Sequence, residues 1–225
     1  MRMRKKRHME ERLGRVKDVL LLVEGSNFYE RSEEDKKRPF IWSEVFGNDN
    51  PVEVEIGCGK GQFIFELAKR NQNVNFVAVE QISNVLLTAC ERAEKEGTKN
   101  VRFLNCDAYN LLYYFTYPVA RKIYLNFSTP YPQRSYAGKR LTNPKFIGIY
   151  SAITLPEAEI ALKTDSAALF EYSLETFSSA GYALKNVTLD LHASRFAEGN
   201  IVTEYERNFS EKGLPIYSLT AVKRD

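Results

Sequence analysis

Residues Val52–Gly61 read VEVEIGCGKG, an alternating apolar run that leads directly into glycines at positions 57, 59 and 61. Glycine turns tightly and lets the backbone come close to a ligand, so a strand ending this way, with a helical pattern over Gln62–Arg70 behind it, predicts a binding loop on an α/β sheet. Two further strand-like runs end on acids, Asn75–Glu80 on Glu80 and Val101–Asp107 on Asp107, and Glu55 stands just before the first glycine. Three acidic strand ends together predict a nucleoside-binding edge. Glu80 lies about 20 residues beyond the loop, where a dinucleotide fold also puts a ribose-binding carboxylate, so the offset alone does not choose the ligand. The spacing GxGxG rather than GxGxxG does choose, together with Glu55, which would repel a pyrophosphate and attract a cationic amino acid. S-adenosylmethionine (SAM) carries an ammonium, a sulfonium and no phosphate. Glu80 would then accept from the ribose and Asp107 from the adenine amine. Taken singly, each feature has a plainer reading, an ordinary turn or a helix cap.

The chain's 225 residues and 44% hydrophobic content suit one domain with appendages and a sizeable core. The expected organisation is a basic N-terminal arm over 1–25 and a single domain over 26–225. There is no run of eighteen apolar residues, and the basic start Met1–His8 leads into the charged stretch Met9–Lys17 rather than an apolar one. A cytoplasmic protein with no membrane association is expected. Cys58, Cys90 and Cys106 have neither paired nor metal-ligand spacing. They read as reduced and structural, with no metal site.

Strand candidates are Val52–Ile56, Asn75–Glu80, Val101–Asp107, Lys122–Ser128, Glu159–Thr164, Tyr182–Leu191 and Ile216–Lys223. Helical patterns lie at Gln62–Arg70, Asn84–Lys95, Ala108–Phe115, Lys145–Leu155 and Ala167–Ser179. The alternation predicts an α/β fold: a seven-stranded, mainly parallel Rossmann-like sheet with helices on both faces. Only the segment Thr203–Gly213 separates the final two strands, which suits an antiparallel last strand at the edge.

Charge is uneven although the net is only +3. Positions 1–17 hold eight basic residues (Arg2, Arg4, Lys5, Lys6, Arg7, Arg12, Arg15, Lys17) against two acids. A second run, Arg121–Lys145, has six (Arg121, Lys122, Arg134, Lys139, Arg140, Lys145) and no acid, interleaved with Tyr124, Phe127, Tyr131 and Tyr136. Basic groups neutralise phosphates and aromatic faces stack unpaired bases, the demands of structured RNA with an exposed nucleotide. For the terminus alone, a solubility tail is the plainer reading.

At this point the chain resembles a known family. VEIGCGKGQFIFELA, the acid in VAVEQ, NVRFLNCDA, IYLNFSTPYP, KRLTNPKFIGIY, KTDSAALFEYS, TEYERNF and GLPIY together look like the bacterial tRNA (guanine-N(7))-methyltransferases, class I SAM-dependent enzymes. The resemblance implies methylation of the seven-position nitrogen of a guanine in the tRNA variable loop; the sequence leaves monomer or homodimer open. Glu55, Glu80 and Asp107 match the family's SAM-contacting acids, in line with Gly57, Gly59 and Gly61 as the SAM loop. Asp165 in KTD and Thr203, Glu204, Tyr205 and Glu206 in TEYE match positions that hold the target guanine and its surroundings. Carboxylates suit that task, because they accept from the imino and amine groups facing away from the seven-position. The plainer reading of Asp165 is a cap for the helix from Ala167. Arg2, Arg4, Lys5, Lys6, Arg7, Arg134, Lys139 and Arg140 would contact the RNA backbone.

One turn departs from the family. Where P-D-P-W-P-K is usual, this chain has Ser128, Thr129, Pro130, Tyr131, Pro132 and Gln133. Thr129 therefore occupies the position of an aspartate with an assigned catalytic and SAM-contacting role, and Gln133 that of a substrate-binding lysine. The usual RH-x-KR segment has drifted to Arg134–Arg140. Two alternatives follow: a catalytically weak or silent relative that binds SAM and tRNA, and a nicotinamide-dependent oxidoreductase on a similar sheet, which Glu55 and the glycine spacing disfavour.

Overall fold

The computed structural model describes residues 7–23 and 40–224. They form two compact units, one up to Thr116 and the other from Tyr117.

In the first unit, α1 (Met9–Arg15), β1 (Leu20–Val23) and α2 (Trp42–Phe46) precede a β–α alternation: β2 (Val52–Ile56), α3 (Gln62–Arg70), β3 (Asn75–Val79), α4 (Ser83–Glu96) and β4 (Val101–Asn105). A 3₁₀ turn follows at Ala108–Tyr113. The strands run in the order β1-β4-β3-β2, with every pair parallel. All residues of β2 and β3 are buried, as expected of parallel strands covered on both faces. α3 turns Phe63, Ile64, Phe65, Leu67 and Ala68 inward, and α4 adds Leu86, Leu87, Ala89, Cys90 and Ala93. Trp42, 1% exposed, stacks 4.6 Å from Phe115 and anchors the end of the unit. Arg12 of α1 grips Glu91 of α4 through both carboxylate oxygens, at 2.6 and 2.7 Å.

In the second unit, β5 (Ala120–Asn126), a 3₁₀ turn (Arg134–Lys139), α5 (Pro144–Ile153), β6 (Thr154–Thr164), α6 (Ala167–Ser179), β7 (Ala183–Thr188), α7 (Glu204–Ser210) and β8 (Tyr217–Val222) follow one another. The strand order is β5-β6-β8-β7; β5 and β6 are parallel, and β8 is antiparallel to both its neighbours. Among the described residues no helix is long and apolar enough to cross a membrane.

The structure differs from the sequence reading in five places. The described strands number eight, not seven, because the short LLLV run of β1, inside the stretch read as a basic arm, pairs with β4. The last strand is antiparallel as expected, but it sits between β6 and β7, so that β7 is the edge. β6 starts at Thr154 rather than Glu159: its first residues carry Pro156 and exposed positions 155–157, which hide the strand pattern. The Ala108–Phe115 helix is a short 3₁₀ turn, and TEYERNF forms a helix where only a connection was expected.

Candidate active site

The first unit builds a ligand edge from strand ends that lie level with one another. The parallel register aligns Ile56 with Val79 and Val79 with Leu104, so the segments that follow emerge side by side. The Gly57 and Cys58 amides both donate to the Val79 carbonyl, at 2.8 and 3.0 Å, and the Gly61 amide donates to the Cys58 carbonyl at 2.9 Å. All three glycines take positive φ, at 82°, 58° and 80°. Gly61 has a packing reason as well: a Cβ there would meet Phe65 at 2.7 Å and Ala89 at 3.1 Å. Beside Gly57 and Gly59 a Cβ would meet nothing within 4 Å, which leaves the loop open where a ligand needs room.

The acids frame this loop. Glu80 accepts from the Gly59 amide through Oε2 at 3.2 Å and from the Ile82 amide through Oε1 at 2.8 Å, and so ties the glycine loop to the turn into α4. Asn105 was missed by the sequence reading. Only 1% exposed, it donates to the Glu80 carbonyl at 2.7 Å and accepts from the Ser83 hydroxyl at 2.6 Å. Its signal was a polar residue closing the strand directly after the apolar pair Phe103 and Leu104. Asp107 is exposed and caps the 3₁₀ turn, accepting from the Tyr109 amide at 2.8 Å. The plainer reading of Asp107 is thus present, and a cap leaves the carboxylate at the strand end. Glu55 is 2% exposed within β2. The Cys58 thiol is pushed well above its ordinary value by burial first, then by the charges of Glu55 and Glu80. That negative field suits a cation bearing hydroxyls, and the set of acceptors therefore fits SAM better than a phosphate-bearing nucleotide.

The second unit places a strained turn after β5. Phe127 and Tyr131 adopt φ of 51° and 42°, the left-handed region that bulky residues avoid at a cost of about 1–3 kcal/mol each. Arg140 holds this turn, donating to the carbonyls of Pro130 (3.1 Å) and Tyr131 (3.0 Å) while its guanidinium lies 4.4 Å over Tyr172. It was expected on the RNA backbone, and its guanidinium is spent at least partly inside the unit. Thr129 and Gln133 are exposed, and neither side chain makes a hydrogen bond among the described residues. Arg134 and Lys139 are exposed, with Lys139 over the Tyr136 ring at 4.9 Å, and Arg7 is exposed as well. Arg2, Arg4, Lys5 and Lys6 lie outside the described residues.

Beside this turn, KTD and TEYE come together. Asp165 does not cap α6: Ser166 does, accepting from the Leu169 amide at 3.2 Å. The Asp165 carboxylate accepts no hydrogen bond among the described residues, and its charge is felt by Tyr205, whose phenol is pushed up by burial first and Asp165 second. The Tyr205 ring is 48% exposed, 5.1 Å from Phe127 and 4.9 Å from Phe209. Thr203 caps α7, accepting from the Glu206 amide at 3.1 Å. Glu204 is exposed, whereas Glu206 is 0% exposed and bound to Lys163 at 2.7 Å. The four TEYE residues therefore divide into two that face inward and two that face outward.

A parallel β–α edge with an open glycine loop and acidic strand ends defines a methyltransferase of the Rossmann-like class. A family model described as "Putative methyltransferase" matches residues 49–219. The chain is 49% identical over 201 residues to a tRNA (guanine-N(7)-)-methyltransferase of Listeria monocytogenes serotype 4b, covering 89% of this chain and 92% of that one. It is 44% identical over 182 residues to the protein of the same name from Lachnoclostridium phytofermentans, covering 81% and 85%. The solved structure of the 16S rRNA methyltransferase KamB superposes with a TM-score of 0.64 at 15% identity, over 82% of this chain and 93% of that one. The chain belongs to the tRNA (guanine-N(7))-methyltransferase family.

Proposed function

We propose that this chain methylates the seven-position nitrogen of a guanine in tRNA, with SAM as donor. The observation that carries the reading is Asp165, a part-buried carboxylate with no internal hydrogen bond, beside the outward Tyr205 ring. Guanine presents an imino and an amine donor on the edge opposite its seven-position, and one carboxylate can accept both. Adenine cannot match that pair. Tyr205 offers a face on which an unstacked base can rest. SAM supplies an electrophilic methyl group. Glu55, Glu80 and Asp107 receive its cationic and hydroxyl-bearing parts, and Gly57 and Gly59 leave it room.

The seven-position nitrogen carries a lone pair and no proton at neutral pH, so no base has to remove one. Positioning contributes roughly 7–11 kcal/mol in well-oriented reactions, whereas one proton-transfer group contributes about 10²- to 10⁴-fold. Thr129 in place of an aspartate therefore leaves the chemistry possible. Its hydroxyl orients SAM or the base without offsetting the sulfonium charge. Gln133, Glu204, Arg134 and Lys139 extend the surface for the surrounding nucleotides, and the basic start of the chain grips phosphates electrostatically. One methyltransferase domain over residues 26–225 is part of this reading; the family model supports it over residues 49–219, which include parts of both units. We place the reaction in the tRNA variable loop and in the cytoplasm.

Single-turnover transfer of labelled methyl from SAM to unmodified bulk tRNA, with mass spectrometry of the nucleosides, tests this reading. Seven-methylguanosine is the expected product. Binding of SAM and tRNA without product would refute it and leave a silent binding relative.

A further inference from the structure

Two of the motifs that the family resemblance ties to the guanine are spent on each other. Lys163, 7% exposed at the end of β6, donates to Glu206 Oε2 at 2.7 Å, to Asn200 Oδ1 at 3.0 Å and to the Ile201 carbonyl at 2.9 Å. Glu206 Oε1 accepts from Asn200 Nδ2 at 2.7 Å and lies 3.1 Å from His192 Nε2. Both oxygens of a fully buried carboxylate are thus engaged, and removing one partner would leave a buried charge uncompensated. From this core the chain runs outward in two places. The Lys163 carbonyl accepts from the Phe127 amide at 2.8 Å, and Glu206 sits on the first turn of α7 beside Tyr205, whose ring meets Phe127 at 5.1 Å.

We propose that Lys163 and Glu206 are positioning residues for the guanine site, and that Asp165 alone among these acids reads the base. The inference rests on the function proposed above. Lys163 clamps the segment carrying Asn200, Ile201 and Glu206 to the end of β6. The clamp fixes Tyr205 against Phe127 at the distance a base stacked beside Asp165 requires. Glu206 is fully buried with both oxygens engaged inside the unit, so its carboxylate is not presented to a substrate amine.

The discriminating measurement is the ratio of kcat/KM for tRNA carrying guanosine to that for tRNA carrying inosine at the target position, since inosine lacks the two-amino donor. The wild type should favour guanosine roughly ten- to a hundredfold, the worth of one hydrogen bond to a charged acceptor. Asp165→Asn should bring the ratio close to one. Glu206→Gln should leave the ratio unchanged and raise KM for tRNA about tenfold through a loosened segment, with kcat and SAM affinity intact. A collapsed ratio in Glu206→Gln, or an unchanged one in Asp165→Asn, overturns the proposal.

The double variant Lys163→Met with Glu206→Met guards against misfolding, because apolar replacement of a buried pair is often neutral or stabilising. It should fold and keep the ratio. Loss of folding in both Glu206 variants would make the pair purely architectural and would also overturn the proposal. A wild-type chain that forms no methylated product refutes the proposed function itself, a result distinct from any of these.

Discussion

Replacing Gly57 and Gly61 by alanine, one at a time, separates two jobs that one loop performs. Both residues have positive φ, 82° and 80°, so a side chain at either costs about 1–2 kcal/mol of backbone energy. Only Gly61 adds a collision, with the Phe65 ring at 2.7 Å and the Ala89 methyl at 3.1 Å. Phe65 cannot yield easily: it is 1% exposed, Phe103 lies 6.1 Å away and Arg92 covers its face at 4.4 Å. Overpacking of this kind costs about 1–3 kcal/mol. Gly61→Ala should therefore lose about 2–5 kcal/mol, against about 1–2 for Gly57→Ala.

The chain has a single tryptophan, Trp42, buried in the same unit, so its fluorescence in urea follows the unfolding of the unit that holds the loop. With a slope of about 2 kcal/mol per molar urea, the midpoint should fall by roughly 1–2.5 M for Gly61→Ala and 0.5–1 M for Gly57→Ala. SAM binding by calorimetry should rank them the other way, because the methyl of Gly57→Ala enters the open space beside the loop. Coincident midpoints would refute the packing argument. Undiminished SAM affinity in Gly57→Ala would refute the assignment of that space to the ligand.

If Thr129 has the cofactor role proposed for it, Thr129→Asp should tighten SAM binding by adding a negative charge that favours a cation, and equal calorimetric affinities would remove Thr129 from the cofactor site. Deleting Met1–Arg7 removes five basic residues and should weaken tRNA binding most strongly at low salt while leaving SAM affinity unchanged; an equal loss for SAM would contradict the phosphate-gripping role. Burial pushes the Cys90 thiol up to about 12, and Cys58 is raised as well. A raised folded-state value means that this contribution to stability is complete below the ordinary thiol value. It is lost as pH rises from there towards about 12. The urea midpoint should accordingly fall over that alkaline range, and Cys90→Ala should flatten the fall; an identical slope in the variant would exclude the thiol as its cause.

The cofactor edge was legible in the sequence because each of its parts has a local cause. Gly57, Gly59 and Gly61 need left-handed backbone, Glu80 ties a turn two residues on, and Asp107 caps its own helix. Such contacts span a few residues and leave spacing behind. β1 was illegible because its pairing with β4 links residues far apart in the chain, and four leucine-and-valine positions next to a basic stretch carry no period.

KTD and TEYE are the instructive case, since there the residues stand out in the sequence and which of them are buried does not. TEYE contains two acids two positions apart at the start of a helix, Glu204 and Glu206, and nothing local says which of them is buried. The answer depends on Lys163, which lies 43 residues from Glu206 and reaches it only because β6 and α7 meet in the fold. A lysine at the end of an inner strand must find a counter-charge, and once it takes Glu206 the alternation of the helix turns Glu204 and Tyr205 outward. Asp165 follows Lys163 by two residues, but it lies past the end of the strand with Ser166 supplying the cap, and so keeps its carboxylate for a ligand. Under the proposed guanine site, burial of one acid thereby decides which other acid is available to the base.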